Sequence, residues 1–280
     1  QKICNAIKIS SKTKLRRWPV SSVRNNQLPV QRRRFVSSAY PFSTFNFHRL
    51  FLMTNKYLMQ LNQYIDHTIL KPTTLVSDIE KVCAEAREYQ FASACVPPPF
   101  VKKTKELLQG SHAKTCTVIG FPFGYSAIEA KLAETLLAIV DGADELDIVI
   151  NLIALKNNDW SYLANEANHL IPIIKEKGKT VKIIIESGVL TDEEIIKCCE
   201  LYGVAGIDYL KTSTGYAEKG ASIHAVDLFK KHLPQGTGIK ASGGIRDYAF
   251  AKQLVEAGAT RLGCSASVAI VEGGKGTGNY

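Results

Sequence analysis

The sequence predicts an α/β protein whose body, residues 53–280, is a single (β/α)₈ TIM barrel behind a basic leader at 1–52. Three observations predict it. From Tyr64 onward, eight short apolar runs alternate with stretches of helical periodicity; the runs end at 66, 96, 121, 150, 186, 211, 241 and 264, so 23 to 36 residues separate successive ends. That interval holds one strand, one helix and two short connections. Recognisable punctuation closes several of the helical stretches. Charged residues also stand in or at the end of five of the apolar runs, which is where a barrel carries its chemistry.

Taken in order, the candidate strands are 63–66, 91–96, 115–121, 145–150, 181–186, 206–211, 237–241 and 260–264. Between them lie helical patterns that stop at glycine: Ile128 to Val140 before Gly142, Asp192 to Tyr202 before Gly203, and Tyr248 to Ala257 before Gly258. Thr191 followed by Glu194 predicts a capping box at the start of the second. A doubly wound open sheet is the competing architecture. It usually carries a glycine-rich turn after its first strand, whereas this turn is Asp66-His67-Thr68. The late Gly-Gly-Lys-Gly-Thr-Gly at 273–278 has neither a preceding strand nor the hydroxyl that a phosphate-binding P-loop needs after its lysine, and reads as a flexible tail.

The net charge of +9 belongs to the leader. Residues 1–65 hold twelve Lys/Arg and no acid, leaving 23 Lys/Arg against 26 Asp/Glu in the rest, a balance of −3. A basic nucleic-acid groove on the folded body is therefore not expected. An Arg-rich, Ser-rich, acid-free leader has the composition of an organellar transit peptide. Met53 also opens a segment that suits a native start, so an upstream extension is the second reading, and a cytoplasmic protein goes with it. Seven cysteines without a C-x-x-C pair suit reduced thiols, and six scattered histidines offer no metal-binding spacing, so neither metal nor cofactor is expected. No apolar run approaches the roughly 20 residues of a membrane-spanning helix.

The charges at strand ends are the main functional signal. Gly-Ile-Asp-Tyr-Leu-Lys-Thr-Ser-Thr-Gly at 206–215 reads as a buried strand ending in the amine of Lys211. An isolated buried ammonium is too costly to keep, so Lys211 should be paired, neutralised or aimed into a polar cavity. Asp66, Asp147, Lys182, Glu186 and Lys240 occupy comparable places on other strands, and Cys95 lies on the second. Lys182 and Glu186 share strand parity, which predicts that both face the same way. Any one of these could be a structural ion pair; five strands carrying charge in apolar runs point to function. The loops after the last three strands supply Thr214-Gly215, Ser242-Gly243-Gly244 and Gly263-Cys264-Ser265. Small residues there admit an anion close to backbone N–H groups, so these loops are expected to bind phosphate.

With these residues in place, the chain from about Tyr64 to Tyr280 resembles the 2-deoxyribose-5-phosphate aldolases. Asp66-His-Thr-Ile-Leu-Lys-Pro72, Val118-Ile-Gly-Phe-Pro-Phe-Gly124, Gly142-Ala-Asp-Glu-Leu-Asp-Ile-Val-Ile-Asn151, Asp208-Tyr-Leu-Lys-Thr-Ser-Thr-Gly215 and Lys240-Ala-Ser-Gly-Gly-Ile-Arg246 look like that family's signature segments, in its order. The resemblance implies a class I aldolase that cleaves 2-deoxy-D-ribose 5-phosphate to D-glyceraldehyde 3-phosphate and acetaldehyde without metal. It assigns the Schiff base to Lys211, an activating ammonium to Lys240 and acid/base work to Asp147, with Asp66, Thr68 and Lys182 in support. It implies a homodimer as well, and a mobile tail whose Tyr280 relays a proton. Phosphate contacts are expected from Thr214, Gly215, Gly243, Gly244, Gly263 and Ser265.

The chemistry of the residues is compatible with those roles. A lysine attacks a carbonyl only as the free amine, and a second ammonium nearby raises the cost of protonating it. Dehydration of the carbinolamine and proton removal to the enamine need a group that gives and takes protons, as a carboxylate can. Cys95 is expected to be a structural residue, because nothing in this chemistry requires a thiolate. Two positions depart from the family pattern: Tyr216 stands where some members have lysine, and Ala266 where a serine often follows Ser265. Another Schiff-base barrel lyase and a non-catalytic phosphosugar-binding protein remain as alternative readings.

Overall fold

Eight short parallel strands, each joined to the next by a helical crossover, close into a barrel in simple chain order, with the first hydrogen-bonded to the eighth. The computed structural model describes residues 59–276. The strands are β1 (Ile65–Thr68), β2 (Ser93–Val96), β3 (Lys114–Ile119), β4 (Glu145–Val149), β5 (Thr180–Ile184), β6 (Tyr209–Lys211), β7 (Gly238–Ser242) and β8 (Arg261–Cys264). Around them run α1 (Val76–Glu88), α2 (Val101–Leu107), α3 (Ile128–Val140), α4 (Leu152–Lys156), α5 (Trp160–Glu176), α6 (Asp192–Val204), α7 (Ile223–His232), α8 (Tyr248–Ala257) and α9 (Ser267–Val271). The barrel is the expected one. Among the described residues no helix is long and apolar enough to cross a membrane.

Strand parity divides the apolar core from the polar interior. Leu146 and Ile148 on β4, Val181 and Ile183 on β5, Leu210 on β6, Ile239 and Ala241 on β7 and Leu262 on β8 are buried in the large hydrophobic cluster shared with the helices. Their alternate neighbours Glu145, Asp147, Lys182, Lys211, Lys240 and Arg261 meet one another across the barrel. The hydrophobic effect is thus satisfied in the annulus between strands and helices, leaving the centre free to hold charge.

Several boundaries differ from the sequence expectation, each for a local reason. A 3₁₀ turn over Asn62–Tyr64 delays β1 until Ile65, and the strand continues to Thr68. The second helix in the expected set runs past Gly203 to Val204. A side chain at Gly203 would meet Pro234 Cδ at 2.5 Å, so that glycine serves packing, while Gly206, with φ +77°, begins the turn into a short β6. The Thr191–Glu194 capping box forms as expected, with Thr191 N–H donating to Glu194 Oε2 at 2.8 Å. The glycine-rich tail is anchored at its start, contrary to expectation. Gly274 N–H donates to Ala269 O at 2.7 Å, Lys275 bridges Asp247, and Gly276 N–H donates to Arg246 O at 2.8 Å. Tyr280 and the leader at 1–52 lie outside the described residues.

Candidate active site

Asp147 is the hub of the barrel interior. Its Oδ2 accepts from Lys211 Nζ at 2.8 Å and from Lys240 Nζ at 2.6 Å, and its Oδ1 accepts from Lys182 Nζ at 2.8 Å. These side chains come from four consecutive strands, β4 to β7, all pointing inward. Lys240 also lies 2.5 Å from Asp66, and Lys182 lies 2.6 Å from Glu145. Arg261 closes the set from below, 2.6 Å from Asp66 and 3.1 Å from Glu145. Four cations therefore face three carboxylates, all of them buried except Arg261, whose side chain is 13% exposed.

Burial works against the charge of each carboxylate, and the surrounding cations override it. Asp147 is held well below the usual carboxylate range by Lys182, Lys211 and Lys240, and Asp66 is held down by Lys240, Arg261 and Lys182. The same holds in reverse for the cations. Burial penalises the charge on Lys240, but Asp147 and Asp66 keep it above the ordinary lysine value, and Asp147 does the same for Lys182. The centre is an ionic lattice with compensated desolvation.

Thr68 joins the centre through the Asp66 backbone, and Glu186 is placed differently from the expectation. The Thr68 hydroxyl donates to the Asp66 carbonyl at 2.8 Å. Glu186 does not follow the strand parity of Lys182, because β5 ends at Ile184 and Glu186 adopts a left-handed φ of +53°. Its carboxylate instead accepts from the Thr214 N–H at 3.2 Å and from the Thr214 hydroxyl. Burial pushes Glu186 up from the usual carboxylate value. Thr214 spends its polar groups on this contact and on the Tyr216 N–H, so it stands apart from the cavity beside it.

That cavity has a volume of about 220 Å³ and lies against the loops after β6, β7 and β8. Gly215, Gly243, Gly244, Gly263 and Ser265 line it, together with Arg246 and Glu218. Gly243 has φ +87°, and a side chain there would press on Gly220 Cα at 3.1 Å and Gly215 Cα at 3.3 Å. A Cβ at Gly263 would lie 3.3 Å from Lys240 Cε, so the cavity adjoins the ionic centre. Tyr216 does not point to it as a lysine would. Its hydroxyl donates to Leu70 O at 2.9 Å, fastening the β6 loop to the β1 loop.

Sequence reasoning missed Glu145, Arg261 and Cys116. Glu145 and Arg261 each sit two residues before an inward position, Asp147 and Gly263, so parity along the strand would have found both. Cys116 lies 3.3 Å from both Lys182 Nζ and Asp147 Oδ1, and burial pushes its thiol well up. Cys95 packs with Leu70, Cys116 and Val118 in a small apolar cluster at the mouth, and a hydrogen bond with Cys116 lowers its thiol value. Asp66, Cys116 and Glu145 come close enough to suggest a metal set, yet the Lys182 ammonium already stands among them at 3.8, 3.3 and 2.6 Å.

A parallel barrel with a lysine–aspartate–lysine centre at its mouth, next to a glycine-lined cavity, is the architecture of a lysine-dependent barrel enzyme. Comparison with known proteins makes the assignment specific. A family described as DeoC/LacD family aldolase matches residues 61–272. A deoxyribose-phosphate aldolase of Caldanaerobacter subterraneus is 46% identical over 216 residues, covering 77% of this chain and 94% of the relative. One from Streptococcus suis is 47% identical over 222 residues, covering 79% and 100%. Among solved structures, the tetrameric deoxyribose phosphate aldolase of Aeropyrum pernix superposes with a TM-score of 0.71 at 32% identity, covering 80% of this chain and 96% of that one. The chain belongs to the DeoC/LacD aldolase family.

Proposed function

We propose that the protein is a class I aldolase that reversibly cleaves 2-deoxy-D-ribose 5-phosphate to D-glyceraldehyde 3-phosphate and acetaldehyde through a Schiff base on Lys211. The observation that carries the reading is the single oxygen, Asp147 Oδ2, shared by Lys211 at 2.8 Å and Lys240 at 2.6 Å. It puts a proton acceptor beside the attacking amine and a second cation beside both. With all seven interior groups ionised the centre carries one excess positive charge, and loss of the Lys211 proton leaves three cations against three anions. Lys211 is the outermost of the interior lysines, with 3% of its side chain exposed against 0% and 1% for Lys182 and Lys240.

The free amine adds to C1 of the open-chain sugar, and the carbinolamine loses water to give the iminium. The C3 hydroxyl then gives up its proton, the C2–C3 bond breaks with its electron pair moving toward the iminium, and glyceraldehyde 3-phosphate departs. The enamine left on Lys211 takes a proton at carbon, and water releases acetaldehyde. Asp147 supplies and accepts the protons directly or through one water. Lys240 disfavours a second ammonium at Lys211, while Asp66 and Lys182 hold Lys240 and Asp147 in place. The phosphate rests in the cavity of Gly215, Gly243, Gly244, Gly263 and Ser265, where three glycines with positive φ turn backbone groups toward it.

Tyr280 serves as a proton relay for the enamine. Gly276 is tied to Arg246, which lines the cavity, and the four residues from there to Tyr280 span at most about 14 Å, a length that suits a phenol meeting the barrel mouth. Thr68 supports the centre through the Asp66 backbone, and Thr214 by shaping the β6 loop. Residues 53–280 form the aldolase domain behind a separate leader. The protein is expected in the cytoplasm, in keeping with the six buried free cysteines among the described residues, unless the leader directs it to an organelle. Exposed Leu137 and Val140 on α3 favour self-association as a homodimer, which light scattering would measure. An assay of the five-carbon deoxy-sugar phosphate beside other aldol substrates tests the reading. Preferred release of acetaldehyde from that substrate is expected; turnover of another phosphorylated or keto-acid substrate instead would overturn it.

A further inference from the structure

His67 belongs to the signature segment at β1, yet its side chain faces away from the charged interior. It is buried on the outside of the barrel against the Phe91 ring, whose centroid is 5.2 Å away. Both ring nitrogens are engaged. Nδ1 lies 2.9 Å from Ser267 Oγ on α9, and Nε2 lies 2.7 Å from Glu85 Oε2 on α1. Ser267 Oγ lies 2.9 Å from the Cys264 carbonyl, which cannot donate, so the hydroxyl proton is spent there. The serine oxygen must then accept from Nδ1–H. The Glu85 carboxylate oxygen can only accept at this 2.7 Å contact, so Nε2 donates as well. A Glu–His–Ser alignment of this kind can elsewhere activate a nucleophile. Here Ser267 is fully buried and its proton points to a carbonyl, which leaves a positioning role.

What it positions follows from the chain path. Cys264 ends β8 and Ser267 begins α9; Gly263, one residue before the strand's end, and Ser265, in the turn between strand and helix, both line the cavity. The strand ladder already pairs Asp66 with Gly263 and His67 with Cys264. His67 adds a side-chain tie from β1 to the far end of the same turn, braced from behind by Glu85. We propose that His67 is a positioning residue for phosphate binding: the Glu85–His67–Ser267 relay holds the Gly263–Ser265 turn in the shape that receives the phosphate. The inference rests on the proposed phosphate site. It predicts an effect on affinity for the phosphoryl group and none on the amine chemistry, because Lys211, Lys240 and Asp147 lie on other strands and touch no member of the relay.

The test compares kcat and KM for 2-deoxyribose 5-phosphate and for unphosphorylated 2-deoxyribose, together with competition by inorganic phosphate, in the full-length protein and in His67→Leu, His67→Asn and Ser267→Ala. His67→Leu and Ser267→Ala should raise KM for the phosphorylated sugar and the inhibition constant for phosphate about 5- to 10-fold, the scale of one net hydrogen bond. Their kcat, and their kcat/KM on the unphosphorylated sugar, should stay within about two-fold of wild type if only this bond is lost. His67→Asn keeps an N–H near the position of Nδ1 and should recover most of the affinity. Should Leu at 67 prevent folding, Ser267→Ala carries the same comparison. Equal losses on both sugars, or unchanged phosphate affinity in a wild-type background that does prefer the phosphorylated sugar, would overturn the role of His67. A wild type with no such preference would overturn the phosphate site itself, and this inference with it.

Discussion

Lys240→Leu separates charge effects at the amine from contacts with substrate. The Lys211 and Lys240 nitrogens bind the same Asp147 oxygen at 2.8 and 2.6 Å, which limits their separation to about 5.4 Å. Two unit charges at about 5.4 Å repel by about 3 kcal/mol at an effective dielectric constant near 20, equivalent to about two pH units. Leucine removes that repulsion and leaves Asp147 with one cation fewer, and both changes keep the proton on Lys211. The rising limb of the pH profile for kcat/KM should therefore move upward. The assay is initial-rate cleavage across the pH range, on protein whose fold has been checked by circular dichroism. That check matters because unbalancing a buried ion cluster typically costs about 3–5 kcal/mol of stability. A lower rate on an unmoved profile would refute the reasoning and make Lys240 a substrate contact.

Further outcomes follow from the same geometry. Asp66 and Asp147 are held below the usual carboxylate range in the folded protein, so the stability they contribute is present above about pH 3.9 and lost as pH falls beneath it. The melting temperature should drop steeply between about pH 4 and 2, and a flat curve there would contradict the ion lattice. Gly243→Ala puts a side chain at φ +87° against Gly220 and Gly215, and should raise KM for the phosphorylated sugar more than it lowers kcat; equal change on an unphosphorylated sugar would detach Gly243 from phosphate binding. Tyr280→Phe should keep Schiff-base formation at Lys211 while slowing turnover and solvent exchange of the acetaldehyde methyl protons by about 10²- to 10⁴-fold. Wild-type exchange would return the segment to a frayed tail. A chain beginning at Met53 should fold and react like the full chain, and loss of folding on that deletion would move the domain boundary.

The barrel was legible because its signal is repeated: eight apolar runs at similar spacing tolerate an error of two residues in any one of them. Lys211, Lys240 and Asp147 were legible for another reason, since a charge inside an apolar run has few innocent explanations. The partners of that centre were harder to read. Glu145 and Arg261 stand at the starts of their strands, where charge is ordinary, and only the closing of the barrel brings β8 within 3.1 Å of β4. Glu186 misled because the parity rule assumes a strand, and the chain leaves the strand at Ile184. The tail misled in the opposite sense. Its glycines suggested freedom, yet a Cβ at Gly276 would sit 2.4 Å from Ala266 Cβ, so glycine there permits close packing. His67 carried no visible signal, since an outward histidine on a strand takes its meaning from Ser267, two hundred residues away.

Reductive trapping reads out the Schiff base on Lys211 itself. Acetaldehyde with borohydride should leave an ethyl group on the Lys211 nitrogen, located by mass spectrometry of the peptide spanning 206–215. Modification is expected at Lys211, lost in Lys211→Arg and suppressed at neutral pH in Lys240→Leu. An unmodified Lys211 in protein that still binds deoxyribose phosphate would contradict it.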